Sequence, residues 1–216
     1  MPNIVSKPRR RGRPGGCDER VVHREEMLTE ALKAFAEKGY DGMSMRELAA
    51  KLGISHGLIP ARFGTKEQLW KAAFDQGMES LLAQVNTIHK GNTAEDKLRN
   101  AAVNLLVSLF KFPAFLQLAN YEGARNTARL DYILESSAHQ KLIAVFKEII
   151  DEGVSTGELK SINPSLIFFL IAHGGGAALC SQPLTSKIDL LKSDELDSAK
   201  EVAEEIVEIV VRGVKV

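Results

Sequence analysis

Ser55, His56, Gly57 and Leu58 lead a short apolar stretch, and Ala61 follows one turn later. A helix that presents such residues at its N-terminal end to the major groove of duplex DNA can bring them to base edges. His56 can donate or accept a hydrogen bond. Leu58 and Ala61 can meet only thymine methyl groups. Lys66, in the first turn of the next segment, can meet a phosphate.

Two helices must position these groups. Ser44 can open the first: its hydroxyl accepts from the Glu47 amide while the Glu47 side chain reaches back, the Ser-x-x-Glu capping box. Leu48, Ala49 and Leu52 fall on one face, and Gly53 can take the left-handed conformation that ends a helix. Ile54 is the apolar residue of the turn. Ser55 is placed to cap a second helix on which Leu58, Ile59 and Phe63 supply buried contacts. Gly64 ends it, and Thr65 with Gln68 makes a second capping box. Helix, tight glycine turn and helix is the helix-turn-helix pattern, in which the first helix braces the second across the DNA backbone. An ordinary αα-hairpin shares the outline, but caps, turn glycine and apolar positions all agree on the DNA-reading form.

Gly39-Tyr40-Asp41-Gly42-Met43-Ser44-Met45-Arg46-Glu47-Leu48-Ala49, with Phe63-Gly64-Thr65-Lys66-Glu67-Gln68-Leu69 after it, resembles the DNA-binding domain of the tetracycline-repressor-like (TetR) family of bacterial transcription regulators. The resemblance covers Arg20 to about Phe74. It implies that Arg46 reaches a base or a phosphate and that Ser44 meets the backbone. It places His56, Gly57, Leu58 and Ala61 at base edges, and Arg62 and Lys66 at phosphates. The family usually has an aromatic residue, often Tyr, where this chain has Pro60, and another bulky residue at Ala61. A proline inside a recognition helix removes an amide donor and tends to kink or shorten the helix. The expectation is rearranged operator contacts, a helix of one turn, or weakened DNA binding, with Arg62 as a replacement phosphate contact.

Charge is divided in the same sense. The 216 residues carry 28 Lys and Arg against 28 Asp and Glu. Residues 1–71 hold 14 basic against 9 acidic, and the remainder 14 against 19. The basic end coincides with the helix-turn-helix, the electrostatic footprint of a DNA-binding region. Residues 1–17 contain Lys7, Arg9, Arg10, Arg11 and Arg13 without an acid, and too little apolar surface to fold alone. Arg11-Gly12-Arg13-Pro14 resembles the centre of an AT-hook, an extended segment whose arginines enter a narrow minor groove. A flexible arm that touches phosphates without preference is the alternative.

Enzyme readings find no support. Gly174-Gly175-Gly176 lacks the Gly-Lys-Ser/Thr ending of a phosphate loop. The five histidines have no metal-ligand spacing, and no nucleophile elbow is present. No catalytic residue, metal or cofactor is expected. Cys17 and Cys180 read as free thiols of a reducing compartment. The N-terminus has no apolar segment of the secretory kind. The most apolar stretch, Leu166 to Cys180, falls short of the roughly 20 residues of a membrane span. A soluble, cytoplasmic protein is expected.

The remaining pattern predicts an all-α fold. Helices are expected over Asp18–Lys38, Lys66 to about His89, Ala94–Phe112, Pro113 to about Arg125, Leu130–Val154, Pro164 to about Ser181, and from Asp194 or Asp197 to Gly213. Residues 182–191 read as a loop. The segment after Pro164 is apolar nearly all round and should therefore be buried, its three glycines allowing close approach of another backbone. Three regions follow: a basic arm over 1–17, the helix-turn-helix domain over 18–65, and a C-terminal domain over 66–216. For the last, the family resemblance implies an effector pocket and dimerisation through the last two long helices. Candidate pocket residues are Phe110, Phe115, Tyr121, His139, Phe146, Phe169 and His173, with plain core packing as the alternative for each. The expected function is a homodimeric repressor of a palindromic operator, released by a small-molecule effector. Alternatives are a regulator without an effector and an interaction module whose DNA affinity Pro60 has weakened.

Overall fold

The structure, a computed structural model, describes residues 22–86, 91–191 and 195–216. Among these residues every regular element is helical, and the one β-type pairing is a bridge between Leu159 and Lys215. Helix α1 (Arg24–Gly42) begins later than the apolar pattern suggests, with Val22 and His23 extended before it. Glu25 and Glu26 occupy its first turn, where the helix dipole favours acids. Met27, Leu28, Ala31, Leu32 and Phe35 are its buried stripe. Gly39 interrupts it at φ 69°, ψ 173°, a conformation essentially reserved for glycine.

Helix α2 (Met45–Leu52) is capped by Ser44, whose Oγ accepts from the Glu47 amide at 3.4 Å. The capping box is only half formed, because the Glu47 carboxylate turns to Lys38 Nζ at 2.6 Å. Gly53 closes α2 in the left-handed region, φ 68°, and the Ile54 amide reaches back to Ala49 O. After the turn come α3 (Leu58–Phe63) and α4 (Lys66–Asn86). The Thr65–Gln68 box is complete: the Gln68 amide donates to Thr65 Oγ1 at 3.2 Å, and the Thr65 amide to Gln68 Oε1 at 2.8 Å.

The second part follows local signals closely. Thr93 caps α5 (Ala94–Lys111), and Pro113 opens α6 (Pro113–Gly123) at the position where a missing amide is harmless. The predicted helix over Leu130–Val154 is instead two, α7 (Ala128–Glu135) and α8 (Ser137–Ser155). Ser136 breaks them apart at ψ 126°, and Thr127 caps α7 one residue before its start. Asn163 caps α9 (Pro164–Cys180), which passes through a π-helical turn over Leu170–Gly175. Residues expected as a loop contain a short helix, α10 (Gln182–Lys187), before the closing α11 (Leu196–Val214).

Helix α9 corrects two expectations. Ile167, Ile171, Ala172 and Leu179 are buried, but Leu166, Phe169 and Leu170 are 48%, 58% and 47% exposed, so the single chain does not bury this helix all round. Its glycines admit side chains rather than another backbone. A Cβ on Gly175 would lie 2.9 Å from Ile206, and one on Gly176 would lie 2.7 Å from Leu116. Gly174 faces open space.

Buried side chains form one cluster from Val22 to Val214, so packing is continuous across residue 65. At the junction Trp70 and Phe74 of α4 stack at 5.6 Å, Phe115 of α6 stacks on Phe74 at 5.5 Å, and Tyr132 of α7 lies edge-on to both. No single helix among the described residues is long and apolar enough to cross a membrane.

Candidate nucleic-acid interface and effector cavity

The α2–turn–α3 unit is anchored from below and open above. Leu48, Ala49, Leu52, Ile54, Ile59 and Phe63 are buried. Arg46, Ser55, His56, Gly57, Pro60 and Ala61 are exposed. Arg46 has no hydrogen-bond or ion-pair partner among the described residues. Glu30 of α1, 2.7 Å from Lys33 and 2.9 Å from Lys51 of α2, ties the unit to α1. The two ammonium groups, Lys33 first, hold its carboxyl below the usual range.

The start of α3 differs from the expected one. Ser55 is no side-chain cap; its carbonyl accepts from the Leu58 amide at 3.0 Å in a turn that contains His56 and Gly57. Leu58, half-buried, is therefore the first helical residue rather than the third. Pro60 then falls third. The first amides of a helix have no partner within it, and the ladder begins with Ala61 N donating to Gly57 O at 3.0 Å. Pro60 thus removes no hydrogen bond from α3, and the expected kink does not occur.

Two of the predicted phosphate ligands are already engaged. Arg62 Nη1 donates to the Val22 carbonyl at 3.2 Å and lies 3.8 Å from Met27 Sδ, tying α3 to the start of α1. Lys66 Nζ donates to Asp41 O at 3.2 Å and sits 4.9 Å from the Tyr40 ring centre. Its ammonium retains donors for a phosphate. Arg11 and Arg13 lie outside the described residues.

Between α4, α5, α6, α7, α8 and α9 lies an apolar cavity of about 180 Å³. Of the predicted pocket residues, Phe115, His139, Phe169 and His173 line it, and Phe110, Tyr121 and Phe146 do not. Phe146 is fully buried and packs edge-on to Phe168 at 5.4 Å. Tyr121 points to α1: a Cβ on Gly39 would lie 2.5 Å from its Oη. Phe110 is half-buried against the core. Sequence reasoning missed Phe74, Met78, Leu130, Ile133 and Phe168 as lining residues. Their helical spacing announces burial, and burial does not distinguish a wall from a filled core.

The polar side chains on the cavity wall are two imidazoles. His173 Nδ1 lies 2.6 Å from Asn120 Oδ1, and its ring stacks on Phe169 at 4.6 Å. His139 Nδ1 is buried with no hydrogen-bond partner among the described residues. Burial pushes both histidines below their ordinary pKa, and His139 is lowered further by His173. A wider groove of about 940 Å³ between α5 and α11 is lined by Arg99, Lys200, Glu201, Glu204, Glu205 and Glu208. Arg99 there bridges Glu95 and Glu208 in part-buried pairs.

Helix α7 joins cavity and DNA-reading unit. Leu130 and Ile133 line the cavity. Arg129, one residue earlier, lies over the Tyr40 ring at 4.1 Å and pairs with the fully buried Glu122 at 2.8 Å. Glu122 also accepts from Thr127 Oγ1 at 2.9 Å. Tyr132 Oη donates to Asp75 of α4 at 2.7 Å; burial first, and then this bond, push its pKa up to about 12. Cys180 is a free thiol whose pKa burial raises to about 12, with Sγ 3.4 Å from Leu109 O; Cys17 lies outside the described residues. Among the described residues no three His, Cys, Asp or Glu side chains gather as metal ligands.

Residues 27–73, which span α2, α3 and the turn between them, match the family model of the tetR family of bacterial regulatory proteins. Over this segment the chain is similar to the DNA-binding domain of the tetR family. An uncharacterized HTH-type transcriptional regulator of Mycobacterium tuberculosis is 27% identical over 137 residues, 63% of this chain and just under two thirds, 65%, of that relative. The HTH-type transcriptional regulatory protein RaaS of the same organism is 29% identical over 163 residues, 74% of this chain and 72% of RaaS. Among solved structures, a tetR-family regulatory protein from Rhodococcus RHA1 shares the fold with a TM-score of 0.70 at 22% identity, covering 90% of this chain and 98% of that one. FadR of Bacillus subtilis, solved in complex with stearoyl-CoA, does so with a TM-score of 0.62 at 19% identity over 87% and 97%. The family and these relatives are regulators of transcription, not enzymes.

Proposed function

We propose that this chain is a DNA-binding transcriptional regulator, a repressor that acts as a homodimer on a palindromic operator and is released by a small-molecule effector. The observation that carries it is the α2–turn–α3 unit, buried on one side and exposing Arg46, Ser55, His56, Gly57 and Ala61 on the other. In this reading His56 and the turn before α3 approach base edges, with Leu58 and Ala61 beside them. Ser44, Arg46 and Lys66 meet the DNA backbone, and Arg11 and Arg13 add contacts from the arm. Arg62 acts mainly as the strut that fixes α3 to Val22. Residues 18–65 serve as the reading head and 66–216 as the effector and dimerisation part.

Dimerisation is supported by apolar side chains that one chain leaves uncovered: Leu166, Phe169 and Leu170 on α9, and Ile209, 73% exposed, on α11. Burying such surface contributes roughly 25 cal/mol per Å². Two-fold symmetry would then present two reading heads to a palindrome. Effector release is supported by the cavity and by α7, which touches both cavity and reading head. A ligand shifts the equilibrium only through contacts that differ between the two states; a displaced α7 changes the Arg129–Tyr40 contact.

Fluorescence anisotropy with duplex from upstream of the chain's own gene tests the reading. Binding that weakens steeply with salt is expected. No binding to any duplex at low ionic strength overturns it. A monomer at micromolar concentration in analytical ultracentrifugation overturns the dimer. The interaction-module alternative loses its main support, since Pro60 occupies a position where its missing amide is not used.

A further inference from the structure

We infer that the cavity takes a small, neutral, monocyclic molecule with one hydroxyl, held by a hydrogen bond from that hydroxyl to His173 and closed in by phenylalanine rings. This rests on the reading of the cavity as the effector site.

Size sets the first limit. The volume of about 180 Å³ is close to the roughly 150 Å³ of an engineered protein cavity that holds benzene, and below the ~300 Å³ at which drug-sized pockets begin. One ring with a short substituent fills it. A fused polycyclic skeleton or a long acyl chain exceeds this volume. The walls agree with an aromatic guest: Phe74, Phe115, Phe168 and Phe169 all contribute to the lining, and rings pack against rings in offset or edge-on arrangements.

Polarity sets the second limit. Among the described residues, His139 and His173 are the cavity's polar side chains, and no Lys or Arg lines it. Their low basicity, from burial, leaves both imidazoles neutral near pH 7. A carboxylate brought here would lose its water without gaining a cation, which is strongly unfavourable. An amide oxygen only accepts, so His173 Nδ1, 2.6 Å from Asn120 Oδ1, carries the ring proton. Nε2 is then an acceptor to which a ligand hydroxyl can donate. A hydroxyl donates and accepts through one atom, so it can serve Nε2 of His173 while accepting from His139. The orphaned Nδ1 of His139 marks a ring whose polar needs the protein alone does not meet.

The test uses the full chain at pH 7.5 and three matched probes, 4-methylphenol, toluene and 4-methylbenzoate, in isothermal titration calorimetry. The phenol should bind roughly tenfold tighter than toluene, the size of one net buried hydrogen bond, and the benzoate should bind more weakly than the phenol. His173→Phe should bring phenol and toluene to within about threefold of each other, a loss of most of that bond, with His139→Phe as the second variant if His173→Phe does not fold. Benzoate binding as tight as the phenol overturns the inference. So does discrimination that survives both substitutions, or no binding of phenol and toluene at millimolar concentration. An anisotropy measurement on the operator complex separates this failure from failure of the effector reading. Phenol that binds without releasing DNA sinks the effector reading alone. Release by a much larger molecule, with no phenol binding, sinks the ligand class alone.

Discussion

The guanidinium of Arg129 lies 4.1 Å from the centre of the Tyr40 ring. Arg129 lies in the first turn of α7, one of the helices that line the cavity, and Tyr40 follows the Gly39 break of α1. Lys66 approaches the same ring at 4.9 Å. One tyrosine of the 18–65 part therefore carries two cations from beyond the division between residues 65 and 66.

Removing that ring should weaken the link more than the fold. Each cation–π contact at a partly exposed site contributes about 0.5–1 kcal/mol, so Tyr40→Leu should lower stability by roughly 1–2 kcal/mol and leave effector affinity unchanged. The factor by which effector weakens operator binding should fall toward one. Titrating the operator complex with effector checks this; an unchanged factor excludes Tyr40 from the coupling.

Arg129→Leu should be far more damaging. Glu122 has no exposed surface, and Arg129 is its cation. Leaving a buried carboxylate without its partner costs about 3–5 kcal/mol. The double variant Glu122→Gln, Arg129→Leu should recover a substantial part of this in urea unfolding. A double variant no better than the single one would mean that Arg129 acts through packing alone.

Gly39→Ala should destabilise by on the order of 2 kcal/mol, because a left-handed φ and a collision with Tyr121 act together. Trimming the tyrosine in Gly39→Ala, Tyr121→Ala should relieve the collision and leave the backbone strain. A thermal shift on each variant separates the two contributions.

Pro60→Ala should change stability by less than about 1 kcal/mol, since a first-turn proline loses no bond of the ladder. A gain approaching the ~3 kcal/mol typical of an interior helix proline would mean that α3 starts before Leu58.

Acid should loosen the protein through the cavity histidines. Burial lowers their folded-state pKa below the ordinary value of 6.5. Between the folded and unfolded values the unfolded chain binds more protons, so stability is full above pH 6.5 and declines as pH falls below it toward the folded-state value. Urea midpoints from pH 7.5 to 5 should fall, and less steeply in His139→Phe. Parallel curves for the two proteins would assign the acid sensitivity elsewhere.

What was legible in the sequence was mostly local. Thr65 with Gln68, Thr93, Asn163, Pro113 and Gly53 all act at the helix ends where their side-chain chemistry places them. Ser136 was not legible as a break, because apolar residues continue on both sides and a serine is tolerated within a helix. Ser55 looked like a cap, but the turn through His56 and Gly57 delays the helix to Leu58. The exposure of Phe169 and Leu170 was hidden for another reason: composition reports that a surface is apolar, not which molecule covers it. The cavity wall was half visible, since an apolar residue beside a void and one beside a methyl group have the same hydropathy.

The bond from Arg62 to the Val22 carbonyl fixes the root of the basic arm directly beneath the reading helix. Arg13 lies nine Cα–Cα steps from Val22, and a fully extended chain spans at most ~3.6 Å per residue, a tether of roughly 32 Å. One turn of duplex measures about 34 Å. If the arm reads bases as proposed, the contact made by Arg13 is therefore confined to the flank within about one turn of each half-site.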